Sequence, residues 1–88
     1  MNQSDAELIQ RIMKRDSEAF ALLFDRYIGH VTDHLTRMLR DAGAADDVAQ
    51  EVFLRVWNRA DQWSGAGAFQ GWLFRIATNL ALNHLRWH

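Results

Sequence analysis

Apolar residues recur every three or four positions along this chain, and no proline interrupts them. Residues at these intervals lie on one side of an α-helix, so the spacing predicts helices that each carry one apolar face. The composition, 49% hydrophobic and 24% charged, is typical of a globular protein. We therefore predict a single all-α domain over residues 1–88, a compact bundle of three main helices preceded by a short N-terminal helix.

Capping residues indicate where the first two helices begin. Ser4 and Glu7 have the S-x-x-E spacing of a capping box, which predicts a short helix through about Lys14. Asp16 or Ser17 is expected to cap a second, longer helix. The apolar stripe of this second helix follows the helical spacing well and consists of Phe20, Leu23, Phe24, Tyr27, Ile28, Val31, Leu35, Met38 and Leu39.

Glycine residues indicate the next boundaries. Gly29 interrupts the stripe of the second helix and predicts a kink or a close contact with another helix. Gly43 is expected to be the C-terminal cap of this helix. A third helix is then expected to begin near residues 45–46, so that Asp46 and Asp47 would lie at the positive end of its dipole.

The segment Trp63–His88 joins a loop of small residues to a final helix that contains no acidic residue. Asn79 and Asn83 lie one turn apart on this helix, beside Arg75 and Arg86. An asparagine amide can pair with a base edge, and a flexible loop beside aromatic rings can hold an unstacked base. The same segment could equally be an ordinary core helix with a solvated polar side. Its predicted apolar side consists of Phe69, Trp72, Leu73, Ile76, Leu80 and Leu85.

The charges are unevenly distributed, although the net charge is only −1. Asp41–Glu51 carries four acidic residues and no basic one, whereas Phe69–His88 carries two arginines, two histidines and no acid. This asymmetry predicts two different partner surfaces. A domain that bound duplex DNA through phosphates alone would be basic, so any binding to nucleic acid is expected to be weak without a partner.

A polar strip on the third helix is the candidate for one of these surfaces. Asp47, Gln50 and Glu51 are spaced at i, i+3 and i+4 and therefore share one face of the helix. Two carboxylates and an amide there could dock a basic partner surface. The alternative is a solvated helix start whose acids interact with the dipole.

Patterns of catalytic and metal-binding residues are weak. Gly65 and Gly67 do not have the spacing of a phosphate-binding loop, and Ser64 has no evident base, so we expect no enzymatic activity and no cofactor. Two histidine pairs have the i, i+4 spacing of metal ligands, but neither encloses a glutamate and the chain has no cysteine, so we expect no native metal site. These pairs are His30 with His34 and His84 with His88.

The start of the chain and its longest apolar runs bear on location. No apolar run reaches the roughly 18 residues that a membrane-spanning helix needs. The start, MNQSDAELIQ, lacks the basic and apolar regions of a signal peptide. Together with the absence of cysteine, these observations favour a cytoplasmic protein.

Three segments resemble motifs of bacterial sigma factors. Residues 46–57, DDVAQEVFLRVW, resemble the D-D/E-x-x-Q-E-x-F-x-x-x-W/Y helix, and residues 71–86, GWLFRIATNLALNHLR, resemble the T-W-L-Y/F-R-I-A-x-N-x-x-x-D/N-x-x-R helix. Residues 16–27, DSEAFALLFDRY, look like the start of the same domain. By these motifs and their order, the chain resembles region 2 of the extracytoplasmic-function (ECF) group of the sigma-70 family. It departs from the usual pattern in the loop and at Gly71, where threonine is common.

The resemblance implies a helical domain that docks on core RNA polymerase and helps to melt the promoter −10 element. The positions that match the contact with the clamp helices of the largest polymerase subunit are Asp47, Gln50 and Glu51. The other surface would capture a flipped base of the single-stranded non-template strand. The positions that match this DNA contact are Ser64, Gly65, Ala66, Gly67, Ala68, Phe69, Trp72, Arg75, Asn79 and Asn83.

The resemblance also implies an anti-sigma factor as a regulatory partner. It further implies a helix-turn-helix region 4 for the −35 element, which this sequence does not contain. Because the sequence stops within the final helix without a cap, we expect it to be a fragment of a longer chain. The alternative function is a helical protein–protein adaptor with no nucleic-acid role, which the near-neutral charge favours.

Overall fold

Four α-helices account for most of the computed structural model, which describes residues 3–63, 65 and 67–87. They are α1 (Asp5–Met13), α2 (Ser17–Leu39), α3 (Ala42–Arg59) and α4 (Phe69–Trp87), and a short 3₁₀ helix, Ala60–Gln62, follows α3. The described residues contain no strand, so the prediction of an all-α bundle with a short first helix is confirmed. None of the described helices is long and apolar enough to span a membrane.

The capping box of α1 forms as the sequence predicts. The Ser4 hydroxyl accepts a hydrogen bond from the Glu7 backbone N–H at 3.1 Å, and the Ser4 N–H donates to the Glu7 carboxylate at 3.0 Å. These two bonds satisfy donors that the start of a helix leaves unpaired, and they lower the pKa of Glu7. Asp16 rather than Ser17 caps α2, because its carboxylate accepts from the N–H groups of Glu18 and Ala19.

The boundary between α2 and α3 differs from the prediction. The C-cap of α2 is Arg40, which adopts a left-handed conformation with φ of 55°, and Gly43 is not a cap but lies in the first turn of α3. Asp41 is the reason, because its carboxylate accepts from the Ala44 N–H at 3.1 Å and so begins α3 at Ala42. Asp46 and Asp47 therefore lie beyond the first turn of α3, not at its positive end.

Gly29 does not mark a close contact between helices. The α2 helix is continuous through this position, and a Cβ atom built there would meet no atom within 4 Å apart from its chain neighbours and the backbone of its own helix. The prediction of a close helix contact is therefore wrong.

The core lies between the four helices, with α2 at its centre. α2 packs against each of the other three helices, α3 packs against α4, and α1 also packs against the 3₁₀ helix. Leu85, predicted to belong to the apolar side of α4, is instead 52% exposed because α4 continues past the packed part of the bundle. The main buried residues are Leu8, Ile9 and Ile12 of α1, Leu23, Tyr27, Val31 and Leu35 of α2, Val48, Val52, Phe53 and Val56 of α3, and Phe69, Leu73, Ala77, Leu80 and Ala81 of α4.

Polar contacts hold the beginning of α1 on α2. The Arg26 guanidinium donates to the Asp5 carboxylate at 2.7 Å and to the Gln3 carbonyl at 2.7 Å. The Tyr27 hydroxyl also donates to Asp5. These contacts fix the first turn of α1 beside the middle of α2.

Candidate nucleic-acid interface

A surface cavity of about 370 Å³ lies where the loop meets the start of α4. Three parts of the chain surround it: the end of the 3₁₀ helix, the loop, and the first two turns of α4. The lining residues are Gln62, Trp63, Gly67, Ala68, Gly71, Trp72 and Arg75. We call this the loop cavity. The structure thus brings together Gly67, Ala68, Trp72 and Arg75 from the predicted DNA-contacting set.

Glycine is required in the loop for conformational reasons. Gly65 and Gly67 have φ angles of 84° and 75°, in the left-handed region that residues with a side chain rarely adopt. The loop continues directly into α4, where the Gly71 N–H donates to the Ala68 carbonyl at 3.1 Å. The predicted contacts Ser64 and Ala66 lie outside the described residues.

Phe69 supports the loop cavity from the core. It is only 2% exposed, and its ring packs against Tyr27, Trp63 and Trp72 with centroid separations of 5.7, 5.5 and 5.7 Å. The ring therefore has no free face for a base, although its position was predicted to contact DNA. Because two of its three neighbours line the cavity, Phe69 determines where their indole rings lie.

Arg75, Asn79 and Asn83 extend along α4 from the loop cavity. All three are exposed, and their four-residue spacing places them on one face of the helix over about 12 Å. Asn79 and Asn83 do not line the loop cavity. Asn83 lies instead at a separate cavity of about 250 Å³ between α3 and α4, together with Glu51 and His84. The predicted DNA-contacting residues of α4 are thus a row beginning at the cavity, not a single cluster.

The polar strip of α3 is present on the surface. Asp47, Gln50 and Glu51 are all exposed, and within the described part of the chain neither carboxylate forms an ion pair. Unpaired, exposed carboxylates remain available to the guanidinium and ammonium groups of a partner.

An apolar depression beside Gln50 was not predicted from the sequence. It has a volume of about 250 Å³, and Leu54, which forms part of its wall, is 59% exposed. Its other lining residues are Phe20, Phe24 and Phe53, whose rings pack against one another. The only sequence signal was Leu54 itself, which lies outside the apolar stripe that helical spacing predicts for the third helix. That stripe consists of Val48, Val52, Phe53, Val56 and Trp57.

Gly71 lines the loop cavity although it was not predicted as a site residue. Gln62 and Trp63 are two further lining residues that the sequence did not identify as such. Both belong to the loop cavity because the 3₁₀ helix turns the chain after α3, and such a turn has no apolar period to reveal it. A polar residue followed by tryptophan immediately before a small-residue loop was the available signal.

The contacts of the two predicted histidine pairs, His30 with His34 and His84 with His88, bear on whether they could bind a metal ion. His34 lies 2.9 Å from the Thr78 hydroxyl, and its ring meets that of Phe74 edge-on at 5.4 Å. Among the described residues, no group of three or more histidine, cysteine, aspartate or glutamate side chains is placed to share a metal ion. His88 lies outside the described residues.

Comparison with known proteins identifies the family. The model of sigma-70 region 2 matches residues 23–88. This chain belongs to the sigma-70 region 2 family. The resemblance inferred from residues 46–57 and 71–86 is thereby confirmed.

Individual relatives agree with this assignment. The chain is 39% identical over 83 residues to the RNA polymerase sigma-H factor of Pseudomonas aeruginosa, covering 94% of this chain and 43% of that protein. It is 39% identical over 82 residues to the ECF RNA polymerase sigma-E factors of Escherichia coli K12 and Salmonella typhimurium LT2, covering 93% of this chain and 42% of each. The chain thus spans less than half the length of these curated relatives.

A solved structure supports the fold. The NMR structure of an engineered region 2 of sigmaE, determined in complex with GTAAAA, superposes with a TM-score of 0.86 at 36% identity. The match covers 97% of this chain and 90% of that chain. The helical bundle described above is therefore the fold of sigma region 2.

Proposed function

We propose that this domain captures a flipped base of the promoter −10 element and thereby helps RNA polymerase to recognise and melt the promoter. The loop cavity is the observation that carries this proposal. It joins a glycine-containing loop, two indole rings and an arginine at one surface opening. Flipping a base costs a few kcal/mol of unstacking, and stacking on aromatic rings together with hydrogen bonds offsets that cost.

The row of polar residues on α4 gives the strand a path away from the cavity. Arg75 can contact a phosphate or a base, while Asn79 and Asn83 can pair with base edges. The structure of sigmaE region 2 in complex with GTAAAA supports this use of the surface, since the two domains share the same fold. The net charge of −1 keeps the free domain from binding DNA strongly by charge alone.

Asn79→Ala tests the DNA-binding surface. If Asn79 pairs with a base edge, the variant should bind a single-stranded −10 oligonucleotide roughly 5- to 150-fold more weakly, as expected for the loss of about 1–3 kcal/mol. Fluorescence anisotropy measures the affinity, and circular dichroism verifies the fold. Asn58→Ala is the matched control, because Asn58 is also an exposed asparagine but lies near the end of α3. Equal affinity of the Asn79 variant and the parent would refute this role of Asn79.

We further propose that the polar strip of α3 docks on the clamp helices of core RNA polymerase. Asp47 and Glu51 would accept from arginine or lysine, and Gln50 lies at the edge of the apolar depression that Leu54 helps to form. A helical partner surface that is basic and partly apolar would complement these carboxylates and the exposed apolar side chains beside them.

We also propose an anti-sigma factor as a regulatory partner, because a protein that covered either surface would block the domain. The role proposed for the domain itself is that of a cytoplasmic transcription initiation factor, not of an enzyme.

A pull-down with core polymerase tests the docking surface. The double variant Gln50→Ala/Glu51→Ala should lose most of the binding, because it removes two of the three polar groups of the strip. Asp25→Ala is the control, since Asp25 is an exposed acid on α2 outside the strip. If the double variant binds as well as the parent, docking occurs elsewhere. An adaptor with no nucleic-acid role would instead show no preference among single-stranded oligonucleotides, even at low salt.

A further inference from the structure

Arg15, in the turn between α1 and α2, has a strained backbone. Its φ angle is 64°, in the left-handed region that residues with a side chain rarely adopt. Among the described residues other than glycine, only Arg40 shares this feature, with a φ angle of 55°. Strained residues persist only where neighbouring contacts hold them, and they cluster at functional sites. The contacts that the Arg15 side chain makes therefore bear on function.

The Arg15 side chain reaches the last turn of α3. Its guanidinium donates to the Trp57 carbonyl at 2.6 Å and lies over the Trp57 indole, 5.2 Å from the ring centroid. A charged hydrogen bond and a cation–π contact therefore act on the same residue. Arg15 thus connects the turn between α1 and α2 to the end of α3.

The end of α3 lacks the cap that is usual for a helix. The last four carbonyl groups of a helix have no partner within it, and many helices satisfy them by ending in a left-handed residue. The C-cap of α3, Ala60, is right-handed instead, with φ of −56° and ψ of −31°. An arginine can satisfy such carbonyls and also interacts favourably with the negative end of the helix dipole. Arg15 therefore caps α3 from another part of the chain.

The capped end of α3 leads directly to the loop cavity. The 3₁₀ helix begins three residues after Trp57, and its first residue, Ala60, is only 3% exposed. The Ala60 carbonyl accepts from the Trp63 N–H at 3.3 Å. Gln62 and Trp63 then line the loop cavity. The position of the last turn of α3 therefore determines where the 3₁₀ helix places these two residues.

We propose that Arg15 is a positioning residue for DNA capture, because its cap on α3 holds one wall of the loop cavity in place. This inference rests on the proposed function, since the cavity that Arg15 positions is the proposed site of capture. Arg15 does not itself line the loop cavity. Its effect passes through Trp57 and the 3₁₀ helix.

Arg15→Gly removes this cap and also relieves the backbone strain, because glycine readily adopts a positive φ. Arg40→Gly is the matched control. It removes the same charge and relieves the same kind of strain, and the hydrogen bond from the Arg40 backbone N–H to the Thr36 carbonyl survives it. Arg40→Gly should raise the Tm by roughly 2–8 °C in thermal unfolding followed by circular dichroism. Arg15→Gly should have a lower Tm than Arg40→Gly, because it also loses the contacts with Trp57.

Backbone amide signals in ¹⁵N-resolved NMR spectra of the free domain report the position of the wall. The signals of Trp63 and Gly67, which line the loop cavity, should shift in Arg15→Gly. The signal of Gly29, in the middle of α2, should not shift. In Arg40→Gly all three signals should stay at their parent positions. An effect of Arg15 on overall stability alone would leave the folded-state signals of the cavity unchanged.

Fluorescence anisotropy with a single-stranded −10 oligonucleotide gives the second readout. Arg15→Gly should bind about 2- to 30-fold more weakly than the parent, the range expected for a residue that acts on a site without contacting the ligand. Arg40→Gly should bind as tightly as the parent. Because both variants lose one positive charge, the difference between them excludes a general electrostatic effect on the phosphates.

The outcomes separate this inference from the proposed function. If the parent binds no oligonucleotide, the proposed function fails, and the role of Arg15 in capture fails with it. If the parent binds but Arg15→Gly binds equally tightly, the proposed function stands and only the role of Arg15 is overturned. The same holds if the Trp63 and Gly67 signals do not move in Arg15→Gly, or if Arg40→Gly weakens binding as much.

Discussion

Phe69 couples the stability of the bundle to the shape of the loop cavity, and replacing it with leucine tests that coupling. The side chain is 2% exposed and contacts three aromatic rings. Leucine keeps most of the apolar burial but loses the edge-to-face and tilted ring contacts. Each such contact contributes about 0.5–1.5 kcal/mol beyond its buried area, and three contacts to one ring are not independent.

These contributions set the expected size of the effect. We expect Phe69→Leu to lower the free energy of unfolding by about 2 kcal/mol, and Phe69→Ala to lower it by about 3–5 kcal/mol because it also leaves a cavity. For a domain of this size, about 2 kcal/mol corresponds to a fall in Tm of roughly 8–16 °C. The affinity for a −10 oligonucleotide should fall as well, because Trp63 and Trp72 lose the ring against which they pack.

Urea and thermal unfolding followed by circular dichroism measure the stability, and fluorescence anisotropy measures the affinity. Leu85→Ala is the control on the same helix, because its side chain is half exposed and its loss should cost less than about 0.5 kcal/mol. The reasoning is refuted if Phe69→Leu unfolds within about 0.5 kcal/mol of the parent. A stability loss with unchanged affinity would show that Phe69 does not position the indole rings.

Two further predictions follow from the backbone and from pH. Gly67→Ala should lower the free energy of unfolding by about 1 kcal/mol, because the φ angle of Gly67 is positive. Gly29→Ala should raise it by about 0.5–1 kcal/mol, because Gly29 lies in mid-helix with open space around it. Urea unfolding of both variants checks this contrast, and equal effects would contradict it. Burial raises the pKa of Tyr27, and its hydrogen bond to Asp5 raises it further. Because the pKa is higher in the folded state, the folded protein holds the Tyr27 proton more tightly than the unfolded chain does. This contribution to the free energy of unfolding is fully present below the unfolded-state pKa of about 10 and is lost as the pH rises above it. The parent should therefore lose more stability than Tyr27→Phe above that pH, and parallel stability–pH curves would exclude the effect.

Regular parts of the fold could be predicted from the sequence because their signals are local. The capping box at Ser4 and the apolar stripe of α2 each depend on residues within a few turns of one another. The boundary near Gly43 was predicted wrongly because two local signals competed. A glycine can end a helix, but Asp41 begins the next one, and Arg40 adopts the left-handed conformation expected of the glycine.

The site could be predicted only in part, because its members are adjacent in space through an irregular connection. Arg75 and Asn79 were predicted because the sequence around Trp72 resembles the final helix of sigma region 2, whose matching positions contact DNA. Gln62 and Trp63 precede the loop, and their positions depend on how the 3₁₀ helix turns the chain. The burial of Phe69 depends on Tyr27, which lies 42 positions earlier, and no periodicity within one helix connects the two.

The contact between α1 and the 3₁₀ helix has a consequence for how base preference can diverge within the family. The family model matches from residue 23, so it does not include α1. Yet α1 packs against the 3₁₀ helix that leads into Trp63, and its Asp5 accepts from Tyr27, which in turn contacts Phe69. Substitutions in α1 can therefore shift the wall of the loop cavity while every residue that lines it stays the same. Under the proposed function, members with identical loops could then capture different bases, and a comparison restricted to loop sequences would miss the cause.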